Sequence, residues 1–196
     1  NGWINLRVGA TEGREIKDVG SVSPAIVAGD LIIAQIIVGG GRNMQGVPGF
    51  IRAFDVRDGH LVWTWNPVPR KGEFGNETWE NGSAEYTGSA GAWSMMSYDP
   101  ELGYLYIPHE APTNEFYGGH RLGDNLFGDT LVCLDAKTGE RKWHFQTQHH
   151  GLWDYDLPAA PILHDIVKDG ARIKVVTQLS KQGLTFVFDR KTGAPI

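Results

Sequence analysis

The chain has 196 residues, of which 41% are hydrophobic and 21% charged, so it is long enough for a folded core and too apolar for a disordered segment. The net charge of −5 and the lack of a basic cluster exclude nucleic acid as the main partner. The single cysteine, Cys133, excludes an intrachain disulfide and the Cys-x-x-Cys-His motif of a covalent c-type haem.

Short β-rich runs bounded by Gly, Pro, Asp and Asn recur along the chain, and helical periodicity is scarce. In chain order, these runs are residues 31–38, 50–56, 104–108, 173–178 and 184–189. The longest apolar run, at 30–38, is too short to span a membrane and predicts a buried strand. Residues 99–103 and 181–183 have the composition of hairpin turns. These patterns predict an all-β fold.

A repeat with the pattern apolar-x-Asp-x-x-Thr/Asp-Gly-x-x-x-Trp occurs at 53–63 and 133–143, and its first part recurs at 187–193. Its Asp can accept hydrogen bonds from turn amides, and its Gly supplies a positive φ. Its tryptophans, Trp63 and Trp143, are expected to stack between neighbouring units. Such a unit predicts a β-propeller or related array, with a β-sandwich as the alternative.

Two long inserts separate the repeats: the first insert lies at 66–92 and the second insert at 113–129. Both are rich in Gly, Asn and Glu. Long ordered loops on a rigid β scaffold usually carry function. If the inserts converge on one end of the molecule, they build a lid or a pocket there.

Residues 149–158 concentrate two histidines, two carboxylates and two large aromatics before a Leu-Pro stop. Aromatic neighbours desolvate a carboxylate and raise its pKa, which prepares a general base. Asp154 is the leading candidate for that base. Asp156 faces the same side if the segment is extended, and we interpret it as structural because it adjoins the stop. His149 and His150 match no zinc spacing and either orient the Asp154 loop or pack.

These motifs, in this order, resemble the quinoprotein dehydrogenases that use pyrroloquinoline quinone (PQQ), above all the glucose-dehydrogenase-like and polyol-dehydrogenase-like branch. The resemblance is carried by GFIRAFD at 49–55, WSMMSYD at 93–99, YGGHR at 117–121, GDNL at 123–126, WHFQT at 143–147, HHGLWDYDLP at 149–158, KQG at 181–183 and DR at 189–190. It implies an eight-bladed propeller of four-stranded antiparallel blades, of which this chain supplies about four. It also implies PQQ near the propeller axis with a divalent ion, usually Ca²⁺.

The resemblance implies specific roles for four residues. Asp154 takes the proton of the substrate hydroxyl while hydride passes to the quinone C5, and Lys181 stabilises the developing oxyanion. Trp93 matches the tryptophan that lies against the PQQ ring, and Thr113 matches a threonine near the PQQ carboxylates. On the residues alone, Asp154 could cap a turn, Lys181 could be a solvated hairpin lysine, Trp93 could dock a blade and Thr113 could belong to a turn.

The metal shell departs from the family pattern. Ca²⁺ binds several hard oxygen ligands, but the Asn ligand of the methanol-type enzymes aligns with Ala111, which cannot coordinate. The glucose-type enzymes carry an Asp-Asn pair before the Gly-x-Ile-Arg strand, and the nearest equivalent here is Arg42-Asn43. We therefore predict Asn43 and Asp154 as the metal ligands of this chain, with further ligands on other blades.

The resemblance implies a PQQ-dependent dehydrogenase that oxidises a sugar, polyol or other alcohol and passes electrons to a quinone or cytochrome. We expect a periplasmic location and one partial propeller domain over residues 1–196, with no second domain. The remaining blades would come from a longer parent chain or from another chain, so the isolated chain is expected to be inactive. The alternatives are a non-catalytic propeller scaffold of the outer-membrane assembly type and a carbohydrate-binding β domain. Gly151 replaces an acid common in glucose-type enzymes, so glucose need not be the substrate.

Overall fold

The computed structural model describes residues 3–9, 19–38 and 42–196. Its strands are β1 (Val19–Gly20), β2 (Ile26–Ala28), β3 (Leu31–Gln35), β4 (Ile37–Val38), β5 (Ile51–Asp55), β6 (Leu61–Trp65), β7 (Ser97–Asp99), β8 (Tyr104–Pro108), β9 (Thr130–Asp135), β10 (Arg141–Gln146), β11 (Ile162–Lys168), β12 (Ala171–Leu179) and β13 (Thr185–Asp189). Two 3₁₀ helices, Asn76–Thr78 and Glu80–Glu85, lie in the first insert. Among these residues, no helix has the length and apolarity needed to cross a membrane.

The strands pair antiparallel in four sheets of unequal size. Two are four-stranded blades in the orders β2–β3–β5–β6 and β7–β8–β9–β10, and the third is β11–β12–β13. A bridge between Phe188 and Pro195 lies beside β13 in this third sheet, and β1 pairs with β4 as a two-stranded ribbon. The predicted all-β architecture of antiparallel four-stranded blades is confirmed.

The predicted single strand at residues 31–38 is divided in two. β3 ends at Gln35, and Ile36 is fully buried between β3 and β4 with its N–H donated to the carbonyl of Phe50. β3 pairs with β5 in the first blade, whereas β4 pairs with β1. A continuous apolar run therefore serves two sheets, because apolarity marks burial and does not mark where pairing changes.

The core lies between blades. The second blade is covered on both faces, so β9 has five consecutive buried residues and reads as a continuous apolar run. Leu105 of β8 packs in a cluster shared with the first blade, whereas its neighbour Tyr106 packs in a cluster with Trp143 and Phe188 on the side of the third sheet. Alternate side chains of β8 thus pack toward the first blade on one face and toward the third sheet on the other.

A tryptophan docks at each junction between blades. The indole N–H of Trp63 donates to the carbonyl of Ala136 at 3.0 Å, and a Cβ added to Gly139 would lie 2.8 Å from the indole Cδ2. Trp143 repeats this geometry against Gly193, where an added Cβ would lie 2.6 Å from its Cδ2. The repeat glycine thus combines a positive φ with the space for the ring, which confirms the predicted stacking.

The two inserts converge. The indole N–H of Trp79 donates to the carbonyl of Leu126 at 2.6 Å, and the N–H of Asn125 donates to the carbonyl of Thr78 at 3.1 Å. Each insert therefore satisfies backbone groups of the other, as ordered loops require when they are buried. The second insert leads directly into β9, which brings these loops to the end of the second blade.

Candidate active site

Lys181 brings together three residues that are distant in the sequence. It lies in the turn between β12 and β13, and its Nζ donates to Asp154 Oδ1 at 2.9 Å and to Asp156 Oδ2 at 2.8 Å. The same Nζ lies 5.4 Å from the centroid of the Trp93 ring, which is cation–π distance. Of the residues predicted from the sequence, Asp154, Lys181 and Trp93 therefore form one cluster, which we call the Lys181 cluster together with Asp156.

Asp156 is the most buried member of the Lys181 cluster. Its side chain is 6% exposed, and it accepts hydrogen bonds from the indole N–H of Trp93 and the backbone N–H of Ala111, both at 2.8 Å, in addition to the Lys181 ammonium. Three separate segments of the chain, which carry Trp93, Ala111 and Lys181, therefore donate hydrogen bonds to one carboxylate. The sequence ranked Asp156 as structural, and the structure makes it the group that holds Lys181 and Trp93 in place.

Asp154 reaches the cluster through a left-handed turn. Its φ is +54°, so the segment is not extended at this residue, and both carboxylates nevertheless meet Lys181. Trp153 is 69% exposed, so its ring lies largely in solvent and does not enclose the carboxylate as expected. Partial burial nevertheless raises the pKa of Asp154 above its ordinary value, against the opposing hydrogen bond from Lys181.

The charge of Lys181 is stabilised by its partners. Partial burial lowers its pKa, but the hydrogen bonds to Asp156 and Asp154 outweigh that effect, and the pKa of Lys181 is raised. Its ammonium therefore stays protonated at neutral pH. The cluster is a fixed cation between two carboxylates, next to an aromatic ring.

The Asp154 loop is anchored on the second insert. The backbone N–H of His150 donates to the carbonyl of Asp124 at 3.2 Å, and its ring Nδ1 lies 2.9 Å from the carbonyl oxygen of Gly123. His149 Nδ1 lies 3.4 Å from the Asp124 carboxylate at the surface. His150 therefore orients the loop, in agreement with one of the two interpretations made from the sequence.

Thr113 and Asn43 lie outside the Lys181 cluster. Thr113 is 2% exposed, and its hydroxyl oxygen accepts a hydrogen bond from the N–H of Gly88 at 2.9 Å. Asn43 is exposed in a bend. Within the part of the chain that the structure describes, no hydrogen bond links either side chain to Lys181, Asp154 or Asp156. Their predicted roles, Thr113 in cofactor binding and Asn43 in metal binding, therefore require a ligand that lies between these side chains and the Lys181 cluster.

His109 is a packing residue. It is fully buried, its Nε2 accepts the indole N–H of Trp65 at 3.1 Å, and its Nδ1 lies 2.7 Å from the carbonyl oxygen of Ala90. Burial lowers its pKa to about 4, against opposing bonds to the carbonyls of Ala90 and Gly91. This neutral ring links β6, at the edge of the first blade, to the first insert, so its role is structural.

Two further acids near the cluster were not identified from the sequence. Burial, followed by the charge of Asp156, raises the pKa of Glu110 to about 8. The same two causes raise the pKa of Asp129 to about 7, and Asp129 is 1% exposed. The sequence signal that could have identified these two acids is their position at strand ends: Glu110 closely follows β8, and Asp129 directly precedes β9. A charged residue at the end of a fully buried strand faces either solvent or a site.

The cluster does not have the form of a metal centre. Within the described ranges, no group of three or more His, Cys, Asp and Glu side chains is placed to hold a metal ion. Asp154 and Asp156 instead share the Lys181 ammonium, which occupies the place that a cation would take between them. The pairing of Asn43 with Asp154 as metal ligands stays a prediction.

The chain matches known proteins over its whole length. The profile of the glucose/ethanol/alcohol dehydrogenase β-propeller domain, designated PQQ, matches residues 1–196. The chain is 34% identical over 200 residues to a quinate/shikimate dehydrogenase (quinone) of Acinetobacter baylyi, and the match covers 100% of this chain and 24% of that protein. It is also 34% identical over 202 residues to the quinoprotein glucose dehydrogenase of Gluconobacter oxydans, with the same coverage of 100% and 24%. The chain thus spans about a quarter of the length of these relatives.

Solved structures agree with this match. A quinohemoprotein alcohol dehydrogenase of Pseudomonas putida superposes with a TM-score of 0.78 at 32% identity, over 87% of this chain and 26% of that chain. A europium-containing methanol dehydrogenase superposes with a TM-score of 0.79 at 24% identity, over 90% and 33% of the two chains, and shows the shared fold. The chain therefore belongs to the PQQ family of glucose/ethanol/alcohol dehydrogenase β-propeller domains.

Proposed function

We propose that this chain supplies the base-bearing part of a PQQ-dependent dehydrogenase that oxidises a sugar, polyol or other alcohol. The observation that carries the proposal is the Lys181 ammonium held between Asp154 and Asp156 beside the Trp93 ring. The relatives named above are dehydrogenases, which favours an enzyme over the non-catalytic scaffold considered from the sequence.

The residues of the Lys181 cluster fit a planar anionic quinone. Trp93 is only partly buried and Lys181 lies over its ring, so an aromatic surface adjoins a fixed cation. Thr113 offers a hydroxyl donor suited to a carboxylate of the cofactor. When bound, PQQ supplies the acceptor for the hydride of the alcohol carbon.

The reaction needs a group that removes the hydroxyl proton. We assign this to Asp154, because its raised pKa makes it a stronger base than an ordinary aspartate while Lys181 keeps it oriented. Lys181 places a positive charge where negative charge develops on an oxygen. Asp156 holds Lys181 and Trp93 in place and stays structural.

The proposal for the whole protein extends beyond this chain. It includes Ca²⁺ or another divalent ion, with Asn43 and Asp154 as the candidate ligands in this chain and the remaining ligands on other blades, because the described residues hold no group of three or more His, Cys, Asp and Glu side chains placed for a metal. It also includes a quinone or cytochrome electron acceptor, a periplasmic location, and residues 1–196 as one partial propeller domain completed by further blades.

The test uses a full-length protein that contains this chain, reconstituted with PQQ and Ca²⁺, and measures reduction of an artificial dye. We expect Asp154→Asn to bind PQQ normally and to lose turnover by about 10²–10⁴-fold, the usual contribution of a general base. Asp169→Asn is the matched control, because Asp169 has a φ of +53°, close to the +54° of Asp154, but lies exposed at the β11–β12 hairpin tip. Unchanged turnover in Asp154→Asn removes Asp154 from the mechanism.

A further inference from the structure

Arg121 is a fully buried arginine of the second insert that joins this insert to the loop carrying Asp154. Its Nη1 donates to Asn125 Oδ1 at 2.7 Å, and its Nη2 donates to the carbonyls of Asn114 at 2.9 Å and Gly151 at 2.7 Å. Asn114 and Asn125 belong to the second insert, and Gly151 lies three residues before Asp154. One planar guanidinium therefore fixes the spacing between the insert and the base-bearing loop.

The bonds of Arg121 end on neutral oxygens, which makes its burial costly. Two acceptors are backbone carbonyls and the third is an amide oxygen, so no carboxylate pairs directly with the guanidinium. Burial lowers the pKa of Arg121 to about 10, and the nearby charge of Asp129 opposes this. A buried charge without a bonded counter-ion destabilises a fold. The three acceptors show what the guanidinium does at that cost: it orients the two loops that carry them.

The loop that Arg121 holds has an unfavourable backbone. His150 and Asp154 have φ values of +48° and +54°, a left-handed conformation that non-glycine residues adopt only when their surroundings impose it. Gly151 lies between them and is confined on a second side, because an added Cβ would lie 2.2 Å from Asp129 Oδ2. The Arg121 hydrogen bond therefore holds the carbonyl of Gly151, while the Asp129 side chain lies against another side of this residue.

We propose that Arg121 is a positioning residue, which acts through Gly151 to keep the Asp154 carboxylate on the Lys181 ammonium. The inference rests on the proposed function, since it takes Asp154 as the base. A lysine cannot replace Arg121, because a single ammonium has no planar fork to reach the carbonyls of Asn114 and Gly151 together with Asn125. Neither oxygen of Asp129 has a hydrogen-bond partner among the described residues, so Asp129 confines the loop without bonding to it.

The test is Arg121→Lys in the full-length holoenzyme. We expect PQQ affinity within about 3-fold of the wild type, kcat lowered about 10- to 100-fold, and little change in KM, because a small displacement of a catalytic group costs up to about 10²-fold.

Two outcomes of this test overturn the proposal: wild-type kcat, or loss of PQQ binding together with turnover. If Arg121→Lys does not fold, Gly151→Ala decides, because it leaves Arg121 in place and displaces the carbonyl that Arg121 holds. Lowered kcat with unchanged KM and PQQ affinity in Gly151→Ala supports the proposal, and a wild-type kcat overturns it. Asp154→Asn is measured in parallel: if that variant keeps its turnover, the proposed function has failed, whatever Arg121 does.

Discussion

The tryptophans at the blade junctions and the tryptophan of the site use the same side chain for different purposes. Trp63 and Trp143 are 8% and 7% exposed, occupy equivalent positions of the repeat, and donate to the backbone carbonyls of Ala136 and Arg190. Trp93 lies outside the repeat, is only partly buried, and donates to the carboxylate of Asp156.

The difference lies in the charge of the partner. A carbonyl acceptor satisfies a buried indole N–H and adds nothing else, so the junction tryptophans stabilise packing. A carboxylate acceptor places charge beside the ring. The Lys181 ammonium, which pairs with this carboxylate, lies 5.4 Å from the centroid of the Trp93 ring. Replacing a tryptophan is therefore expected to lower stability at the junctions and to lower cofactor affinity at the site.

The largest effect is expected for Trp143→Ala. Removing this ring opens a cavity between the second blade and the third sheet, where it packs with Tyr106 and Phe188. The free energy of unfolding should fall by about 3–5 kcal/mol, as in other buried tryptophan truncations. Chemical denaturation of the full-length protein measures it. A loss below about 1 kcal/mol would mean that this junction does not hold the blades together.

A smaller effect separates ring contact from backbone strain at the junctions. Gly139 and Gly59 occupy the same position of the repeat, with φ values of +74° and +77°. An added Cβ at Gly139 meets the Trp63 ring at 2.8 Å, whereas at Gly59 the nearest atom is Ile4 Cγ1 at 4.0 Å. We expect Gly59→Ala to destabilise by about 1–2 kcal/mol through strain alone.

Gly139→Ala should cost about 1–3 kcal/mol more than Gly59→Ala, because it adds overpacking against the ring to the same strain. Urea denaturation of the two variants side by side gives the difference directly. Equal losses would show that the junction accommodates a methyl group, and the glycine would then be required only for its φ.

For Trp93→Phe we expect a change in stability of about 1–2 kcal/mol, no larger than that of Gly59→Ala, because Asp156 keeps its bonds from Ala111 and Lys181. The affinity for PQQ should fall about 3- to 30-fold, since phenylalanine offers less ring surface and leaves Asp156 without one donor. Cofactor titration checks this, with Trp63→Phe as the matched variant, which should lower stability and leave affinity unchanged. The reverse pattern would contradict the distinction between the two kinds of tryptophan.

Some elements could be predicted because their signals are local. β8 has the predicted bounds, and the hairpin turns at 99–103 and 181–183 lie between strands as expected. β11 was missed because its sequence, Ile-Leu-His-Asp-Ile-Val-Lys, mixes polar and apolar residues on a largely exposed strand. Its pairing with β12 over seven residues supplies the order that its own composition does not show.

The sequence by itself determined many of the strands, the turn glycines and the residue types of the site, because hydrophobic alternation and turn chemistry act over a few residues. It also predicted Asp154 from its aromatic neighbours, and Lys181 and Trp93 through the resemblance to the PQQ-dependent dehydrogenases. Only the tertiary structure decided that Asp156 joins them, that Asn43 and Thr113 stand apart, and that Arg121 anchors the loop. These contacts form between segments that are far apart in the chain, such as Trp93 and Asp156 at 63 positions, and no local pattern encodes such an approach.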